Sequence, residues 1–134
     1  MMLKEKNLKH QGETKMEDFY YKEEFAKAEW SYYKACAEQK STNDWSEAHW
    51  VTFATPKGGL RNAPRWFKQM VENGLLKKDE HSSSARQYIL NWSPKDEMVT
   101  NDSQDGKWAG YRAFVYKFRE ETGYDAIYHQ TYLT

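Results

Sequence analysis

The spacing of apolar residues predicts a long first helix between Glu17 and Lys40. This stretch contains no Gly or Pro, and its apolar residues recur at helical spacing. Acidic residues concentrate near its start and Lys40 lies at its end, which suits the helix dipole. We place its buried stripe at Phe19, Ala26, Trp30, Tyr33 and Ala37, flanked by Tyr20, Phe25 and Cys36.

Two further helices follow from the same kind of pattern. One begins at Asn62, tolerates Pro64 in its first turn and closes at Asn73-Gly74. The other runs from Trp108 to Thr122 and ends at Gly123. Their predicted apolar faces are Trp66, Met70 and Val71 in the earlier helix, and Trp108, Tyr111, Phe114, Val115 and Phe118 in the later one.

Three segments have the composition of strands. His49–Thr55 is β-branched and aromatic and stops before Pro56, Arg86–Trp92 alternates, and Asp125–Leu133 carries further aromatic residues. Residues 1–15 are polar and aperiodic, and we expect a flexible tail there. We therefore expect residues 16–134 to form a single small α+β domain, with about three helices packed on a three- or four-stranded, mostly antiparallel sheet.

The composition changes what fills the core of this domain. Leu, Ile, Val and Phe make up only 19 of the 134 residues, below the fraction of about 20% under which highly charged chains are disordered. However, the net charge is zero, and 6 Trp and 10 Tyr supply apolar surface. We therefore expect a folded domain with an aromatic-rich core.

Bulk features also limit the location and the cofactors. No apolar run approaches a membrane span, and the start of the chain lacks the apolar core of a secretory signal. The single Cys36 cannot form an internal disulfide or a cysteine-based zinc site, and we expect it to be a buried structural residue. We expect a cytoplasmic protein without a membrane partner, a cofactor or a bound metal.

Charge is distributed less evenly than the total implies. From Lys57 to Lys78 the net charge is +5, with six basic residues and one acid. From Asp79 to Asp105 it is −4, and from Lys107 to Arg119 it is +4 with no acid. Two basic blocks therefore bracket an acidic connection.

A glycine-rich loop leads into the basic helix of the first block. Glycines allow close backbone approach to an anion, and a helix N-terminus offers free N–H groups with a positive dipole. We expect phosphate contacts from this region, base stacking on Trp66 or its neighbour Phe67, and a second basic face on the last helix. The predicted nucleic-acid-binding residues are Lys57, Gly58, Gly59, Arg61, Arg65, Trp66, Lys68, Lys77, Lys78, Arg112, Lys117 and Arg119.

Residues 62–92 resemble the end of a winged helix. The resemblance rests on a basic helix, the Asn73-Gly74-Leu75-Leu76 exit, a basic turn from Lys77 and an alternating strand. It implies that the basic helix enters a DNA groove and that Lys77–Arg86 begins the wing. The compact helix-turn that should precede it is not predicted, because His49–Thr55 has the pattern of a strand. The leading hypothesis rests on the two basic blocks and the Gly58-Gly59 loop: a small nucleic-acid-binding protein, with DNA or RNA as its ligand, of a regulatory, mobile-element or viral kind. A DNA-binding winged helix is a minority alternative within it.

A protein-interaction module or inhibitor is the second hypothesis. Tyrosine is enriched among the residues that dominate protein interfaces, and the first helix carries tyrosines on more than one face. A partner protein or a second copy of the chain would then bind there, through Tyr20, Tyr21, Tyr32 and Tyr33.

A third hypothesis is a metal-independent nuclease. If paired strands place His49 and His129 on one face, the two imidazoles can divide the acid and base roles of phosphodiester cleavage. The usual nucleotide, zinc-protease and serine-hydrolase motifs are absent, so we expect a binding protein rather than an enzyme.

Overall fold

The computed structural model describes residues 19–45 and 47–132. Within them the chain forms three α-helices and one four-stranded antiparallel sheet, which confirms the expected α+β fold. The predicted tail at residues 1–15 lies outside the described residues. In chain order the elements are α1 (Lys22–Glu38), β1 (Glu47–Ala54), α2 (Arg65–Glu72), β2 (Leu76–Lys78), β3 (Gln87–Leu90), α3 (Gln104–Thr122) and β4 (Ile127–Tyr132).

The strands are ordered β2-β3-β1-β4, so β1 lies inside the sheet and β4 at one edge. β1 pairs with β4 along most of its length, with Trp50 opposite His129. It pairs with β3 only over its last residues, beginning with Thr52 opposite Ile89. The short strand β2, which the sequence patterns do not predict, pairs with β3 to form a hairpin.

All three helices pack on one face of the sheet. Phe53 of β1 contacts Phe67 of α2 and Phe118 of α3, at ring-centroid distances of 6.4 Å and 5.6 Å. α1 and α3 run antiparallel, since Lys27 near the start of α1 pairs with Glu121 near the end of α3. Because side chains alternate along a strand, Phe53 faces this layer while Trp50 and Thr52 face the opposite side of the sheet.

The core is built largely from aromatic rings. Six of its eleven largest fully buried side chains are Phe or Tyr. Phe118 alone lies within 6.5 Å of the rings of Tyr21, Phe25, Phe53, Trp66 and Tyr124. This confirms that aromatic residues take the place of the scarce aliphatic ones.

The predicted buried stripe of α1 is correct at Phe19 and Tyr33 but wrong at Ala26, Trp30 and Ala37. Trp30 is 60% exposed and Ala26 and Ala37 are exposed. The buried residues are Phe25, Ala28, Tyr32, Tyr33 and Cys36. One residue corresponds to 100° of helix rotation, and both stripes satisfy helical spacing because aromatic residues occur around much of the helix. Contact with α3 decides which stripe is buried.

α3 begins one turn earlier than Trp108. Ser103 caps it, since its hydroxyl oxygen accepts a hydrogen bond from the Gly106 N–H. Asn101 fixes this start against the end of α1 by donating to the carbonyls of Gln39 and Ser41. The expected terminus is confirmed, since Gly123 ends the helix at φ 79°.

α2 is shorter than predicted. It begins at Arg65, and residues Gly59–Asn62 form a separate 3-10 turn. Ala63 and Pro64 between them are extended, because proline fixes φ and disfavours the helical region for the residue before it. Arg61 therefore precedes the helix and does not share its face with Arg65 and Lys68.

Candidate nucleic-acid interface

A tight turn at Gly58-Gly59 positions two cations of the candidate interface, Lys57 and Arg61. Gly58 has φ 100° and Gly59 has φ 79°, a region that disfavours residues with a Cβ. A Cβ at Gly58 would lie 2.0 Å from Nδ2 of Asn62, whose side chain donates to the carbonyl of Lys57 at 3.3 Å. The turn leaves Lys57 and Arg61 exposed beside the start of α2.

α2 divides its residues between the core and the surface. Trp66, Phe67 and Met70 are buried, whereas Arg65 is exposed and Lys68 is half-buried. Within the described residues no side chain caps the N-terminus at Pro64. The N–H groups of Phe67 and Lys68 donate to the Pro64 carbonyl, so those of Arg65 and Trp66 remain for an external acceptor. Such a terminus attracts anions through its N–H groups and its dipole.

Trp66 cannot serve as the predicted stacking surface for a base. It is only 9% exposed, and its ring contacts Tyr21, Phe53, Phe118 and Tyr124 as well as the adjacent Phe67. Phe67 is fully buried. Both rings anchor α2 to the sheet, and the exposed part of the helix is cationic rather than aromatic.

The hairpin of β2 and β3 adds two more cations, with Lys78 on the face of the sheet that α2 covers and Lys77 on the opposite face. Lys77 and Lys78 are both exposed and project to opposite sides of β2. Arg86 fixes the base of the hairpin to the end of β1, because its Nε donates to the Thr55 carbonyl at 3.0 Å while its own carbonyl accepts from the Thr55 N–H at 2.8 Å. The hairpin therefore has a defined position relative to the Gly58-Gly59 turn.

We call the six cations Lys57, Arg61, Arg65, Lys68, Lys77 and Lys78 the α2 block. Within the described residues, none of them is in an ion pair. Their charge is therefore available to an external anion.

The second predicted basic face, on α3, differs. Lys117 pairs with Glu120 at 3.1 Å and with Glu121 at 3.4 Å. The hydrogen bond to Glu120 raises the pKa of Lys117, and a hydrogen bond from Lys27 lowers the pKa of Glu121. Arg119 pairs with Asp125 at 3.3 Å, and the Arg112 guanidinium lies 4.6 Å from the ring centroid of Trp108. Intramolecular partners occupy all three predicted cations.

The structure does not bring the two predicted nuclease histidines together. Because His129 is opposite Trp50 and His49 is opposite Gln130, His49 and His129 lie on opposite faces of the sheet. On the face of the sheet opposite the helices, His129 Nε2 is 2.9 Å from the Thr52 hydroxyl. Burial lowers the pKa of His129. A mechanism in which one histidine acts as the acid and the other as the base needs both on the same face of the sheet, and they do not share one.

His49 belongs instead to a polar cluster on the face of the sheet that the helices cover. Its Nδ1 is 2.6 Å from the Tyr128 hydroxyl, and its Nε2 is 2.6 Å from Oε1 of Gln104. The Glu47 carboxylate is 3.5 Å from the same Nε2. Burial raises the pKa of Tyr128, so its hydroxyl stays protonated and is a poor nucleophile. The cluster joins β1, β4 and the start of α3.

The four tyrosines of the partner-binding hypothesis have different surroundings. Tyr20 is 75% exposed and Tyr21 is half-buried against Trp66. Tyr32 and Tyr33 are buried, so these two are not available as surface anchors. α1 also carries an exposed aromatic residue, Trp30, which the predicted stripe places in the core.

Comparisons with known proteins give no relative. No family model, curated protein or solved structure matches this chain. Among the described residues, no group of three or more His, Cys, Asp or Glu side chains is placed to hold a metal ion. Cys36 is buried as expected. No helix of the described chain is long and apolar enough to cross a membrane.

Proposed function

We propose that the protein binds double-stranded DNA through the α2 block, with α2 in the major groove and the β2–β3 hairpin against the neighbouring phosphates. The observation that carries the proposal is a set of cations that form no ion pair within the described residues, arranged around a short helix whose N-terminus no described side chain caps. Their position supports it, because they come from three adjacent segments: the Gly58-Gly59 turn, α2 and the hairpin.

The connectivity supports the same assignment. A strand, a helical turn, a helix and a hairpin follow one another, and the three strands lie side by side in the order β2-β3-β1. This arrangement resembles a winged helix over β1 to β3. The strand β1, whose pattern argued against the motif, takes the place of the strand that precedes the helix pair. The 3-10 turn Gly59–Asn62 replaces the first helix of that pair.

The dimensions of α2 suit a major groove. An α-helix with its side chains is about 10–12 Å in diameter, which matches the width of about 12 Å of the major groove of B-DNA, and α2 has eight residues. Residues at the start of such a helix reach the base edges, which gives Arg65 the position for a base contact. A-form RNA has a deep, narrow major groove that side chains do not read, so the proposal is specific for DNA duplexes.

Salt dependence is the first test. Six phosphate contacts reduce the affinity about 10³-fold between 50 and 200 mM salt. We expect fluorescence anisotropy with a random-sequence 20-base-pair DNA duplex to show a steep decrease of this order. A duplex RNA of the same length should bind more weakly at every salt concentration.

A matched pair of variants then locates the interface. Arg65→Gln should weaken DNA binding about tenfold at 50 mM salt, since a lost base contact costs about 1–3 kcal/mol. Arg112→Gln removes the same charge from an exposed residue of α3 and should change the affinity less than twofold. Equal losses in both variants, or the absence of salt-dependent binding in the parent protein, would contradict the proposal.

A further inference from the structure

A cavity of about 250 Å³ lies where the sheet is incomplete. β1 pairs with β4 from Glu47 onward, but its pairing with β3 begins only at Thr52. On the β3 side of His49–Val51, the chain turns away through residues 91–93 instead of continuing as a strand. The resulting gap opens between the two faces of the sheet.

Aromatic rings form fixed walls of this cavity. Trp50, Trp92 and Tyr111 line it. Trp92 is held by edge contacts with Tyr32 at 5.5 Å and by a tilted contact with Phe114 at 5.0 Å. Trp50 is stacked on His129 at 5.2 Å. Walls held by ring contacts leave a space of constant shape, which suits a planar group.

Among the described residues, the polar part of the lining is rich in hydrogen-bond donors and contains no acidic residue. It consists of His49, Lys77, Asn91, Ser93 and the phenol of Tyr111. Lys77 is in no ion pair, and Ser93 makes no side-chain hydrogen bond within the described residues. An ammonium and a hydroxyl in a lining without a carboxylate favour a bound anion.

The neighbouring acidic group does not oppose this charge at the cavity surface. Glu47 is not part of the lining. Its Oε1 accepts a hydrogen bond from Nε2 of Gln130 at 2.6 Å and lies 3.5 Å from Nε2 of His49. Both ring nitrogens of His49 are within hydrogen-bond distance of Tyr128 and Gln104, so the imidazole acts as a wall.

We propose that this cavity is a binding site for a small aromatic carboxylate. The aromatic ring lies between the walls of Trp50, Trp92 and Tyr111, and the carboxylate accepts hydrogen bonds from Lys77 and Ser93. The size fits, because an apolar cavity of about 150 Å³ accommodates benzene and the additional volume takes the carboxylate and one substituent. The site does not depend on DNA binding, since of the α2 block it uses only Lys77.

Three probes of similar size separate charge from shape: benzoate, benzamide and cyclohexanecarboxylate. We expect benzoate to shift the indole N–H signals of Trp50 and Trp92 in nitrogen–proton NMR spectra, with each signal assigned by its Trp→Phe variant. Benzamide lacks the charge and cyclohexanecarboxylate lacks the planar ring, so each should bind at least fivefold more weakly. Equal binding of all three, or shifts confined to other indoles, would overturn the proposal.

The matched variants are Lys77→Met and Lys78→Met. These neighbours project to opposite sides of β2, and only Lys77 lines the cavity. Lys77→Met should weaken benzoate about tenfold, whereas Lys78→Met should not change its affinity. Ser93→Ala provides a second, exposed position at which a smaller loss is expected.

The same two variants keep this proposal distinct from the proposed function. Both remove one cation, but only Lys78 lies on the face of the sheet that α2 covers, so Lys78→Met should weaken DNA binding more than Lys77→Met. Loss of benzoate selectivity with intact DNA binding would overturn only the cavity proposal. Absence of DNA binding with benzoate still bound would overturn only the interface.

Discussion

The two basic segments of this chain have nearly equal charge and different surroundings. The segment around α2 carries +5 and the segment in α3 carries +4. In α3, Lys117 and Arg119 lie within ion-pair distance of carboxylates, and Arg112 rests on a tryptophan ring. In the α2 block no cation has an ionic partner within the described residues. Local charge along a sequence therefore overstates the charge that a folded surface presents to a partner.

The reason for the difference lies in the helices that carry the cations. α3 is a 19-residue helix packed between α1 and the sheet, and its own last turn and Asp125 supply the carboxylates that pair with Lys117 and Arg119. α2 has eight residues, buries one face, and presents the other beside a glycine turn, with Glu72 as its one acidic residue. We interpret α3 as a scaffold and α2 as a surface for binding.

The largest expected effect tests the scaffold role of α3. A Cβ at Gly106 would lie 2.1 Å from the backbone oxygen of Asn101. Gly106→Ala should therefore lower the free energy of unfolding by about 3 kcal/mol, measured by urea denaturation. Tyr116→Ala, a larger truncation at a 75% exposed site on the same helix, should cost less than about 0.5 kcal/mol. If Gly106→Ala is as stable as the parent, the tight contact between α3 and the loop before it is not present.

An alkaline titration tests the aromatic core beneath α2. Burial raises the pKa of Tyr124 to about 12, and that of Tyr33 likewise to about 12. An unfolded tyrosine ionises near pH 10, so the folded state retains protons that the unfolded state loses. Stability is therefore complete below pH 10 and falls as the pH rises from 10 to 12.

Tyr124→Phe identifies the contribution of one ring to this loss. The variant should lose about 1–2 kcal/mol less free energy of unfolding between pH 10 and 12 than the parent. Tyr20→Phe, at an exposed position, serves as the control and should follow the parent curve. A parallel pH dependence of the parent and Tyr124→Phe would contradict the assignment.

A smaller effect separates helix capping from binding. Ser103→Ala removes the acceptor of the Gly106 N–H at the start of α3 and should cost about 1 kcal/mol of stability. The affinity of the folded protein for DNA should not change, since Ser103 is buried and far along the chain from the α2 block. Ser83→Ala, at an exposed position in the hairpin turn, should leave stability unchanged.

The smallest expected effect tests whether the α3 cations contribute once they are released. Glu120→Gln with Glu121→Gln removes both partners of Lys117. DNA affinity at 50 mM salt should rise by no more than about threefold, through the change in net charge alone. Glu23→Gln with Glu24→Gln changes the net charge equally at the start of α1 and should give the same rise. A tenfold gain in the first variant alone would make α3 part of the interface.

The sequence determined the fold class and the element types. Alternating β-branched segments, the absence of Gly and Pro from residues 17–40, and Gly123 after the last helix have local causes: strand alternation, helix propensity and the left-handed conformation of glycine. The positions of the cations, and the exclusion of a cysteine-based zinc site, are also properties of the sequence alone.

Tertiary structure decided which faces are buried and which histidines lie together. Trp30 and Phe25 are both large apolar residues of α1. Phe25 is buried because it lies on the side that packs against α3, whereas Trp30 lies on an exposed side. The strand register places His49 and His129 on opposite faces, and shifting it by one residue would reverse this arrangement. The cations of α3 differ from those of the α2 block for a local reason, because Lys117 pairs with Glu120 and Glu121 at i,i+3 and i,i+4, and Arg119 pairs with Asp125 six residues further on. The burial of one helix face and the pairing of strands, in contrast, depend on contacts between residues far apart in the chain, which local patterns do not contain.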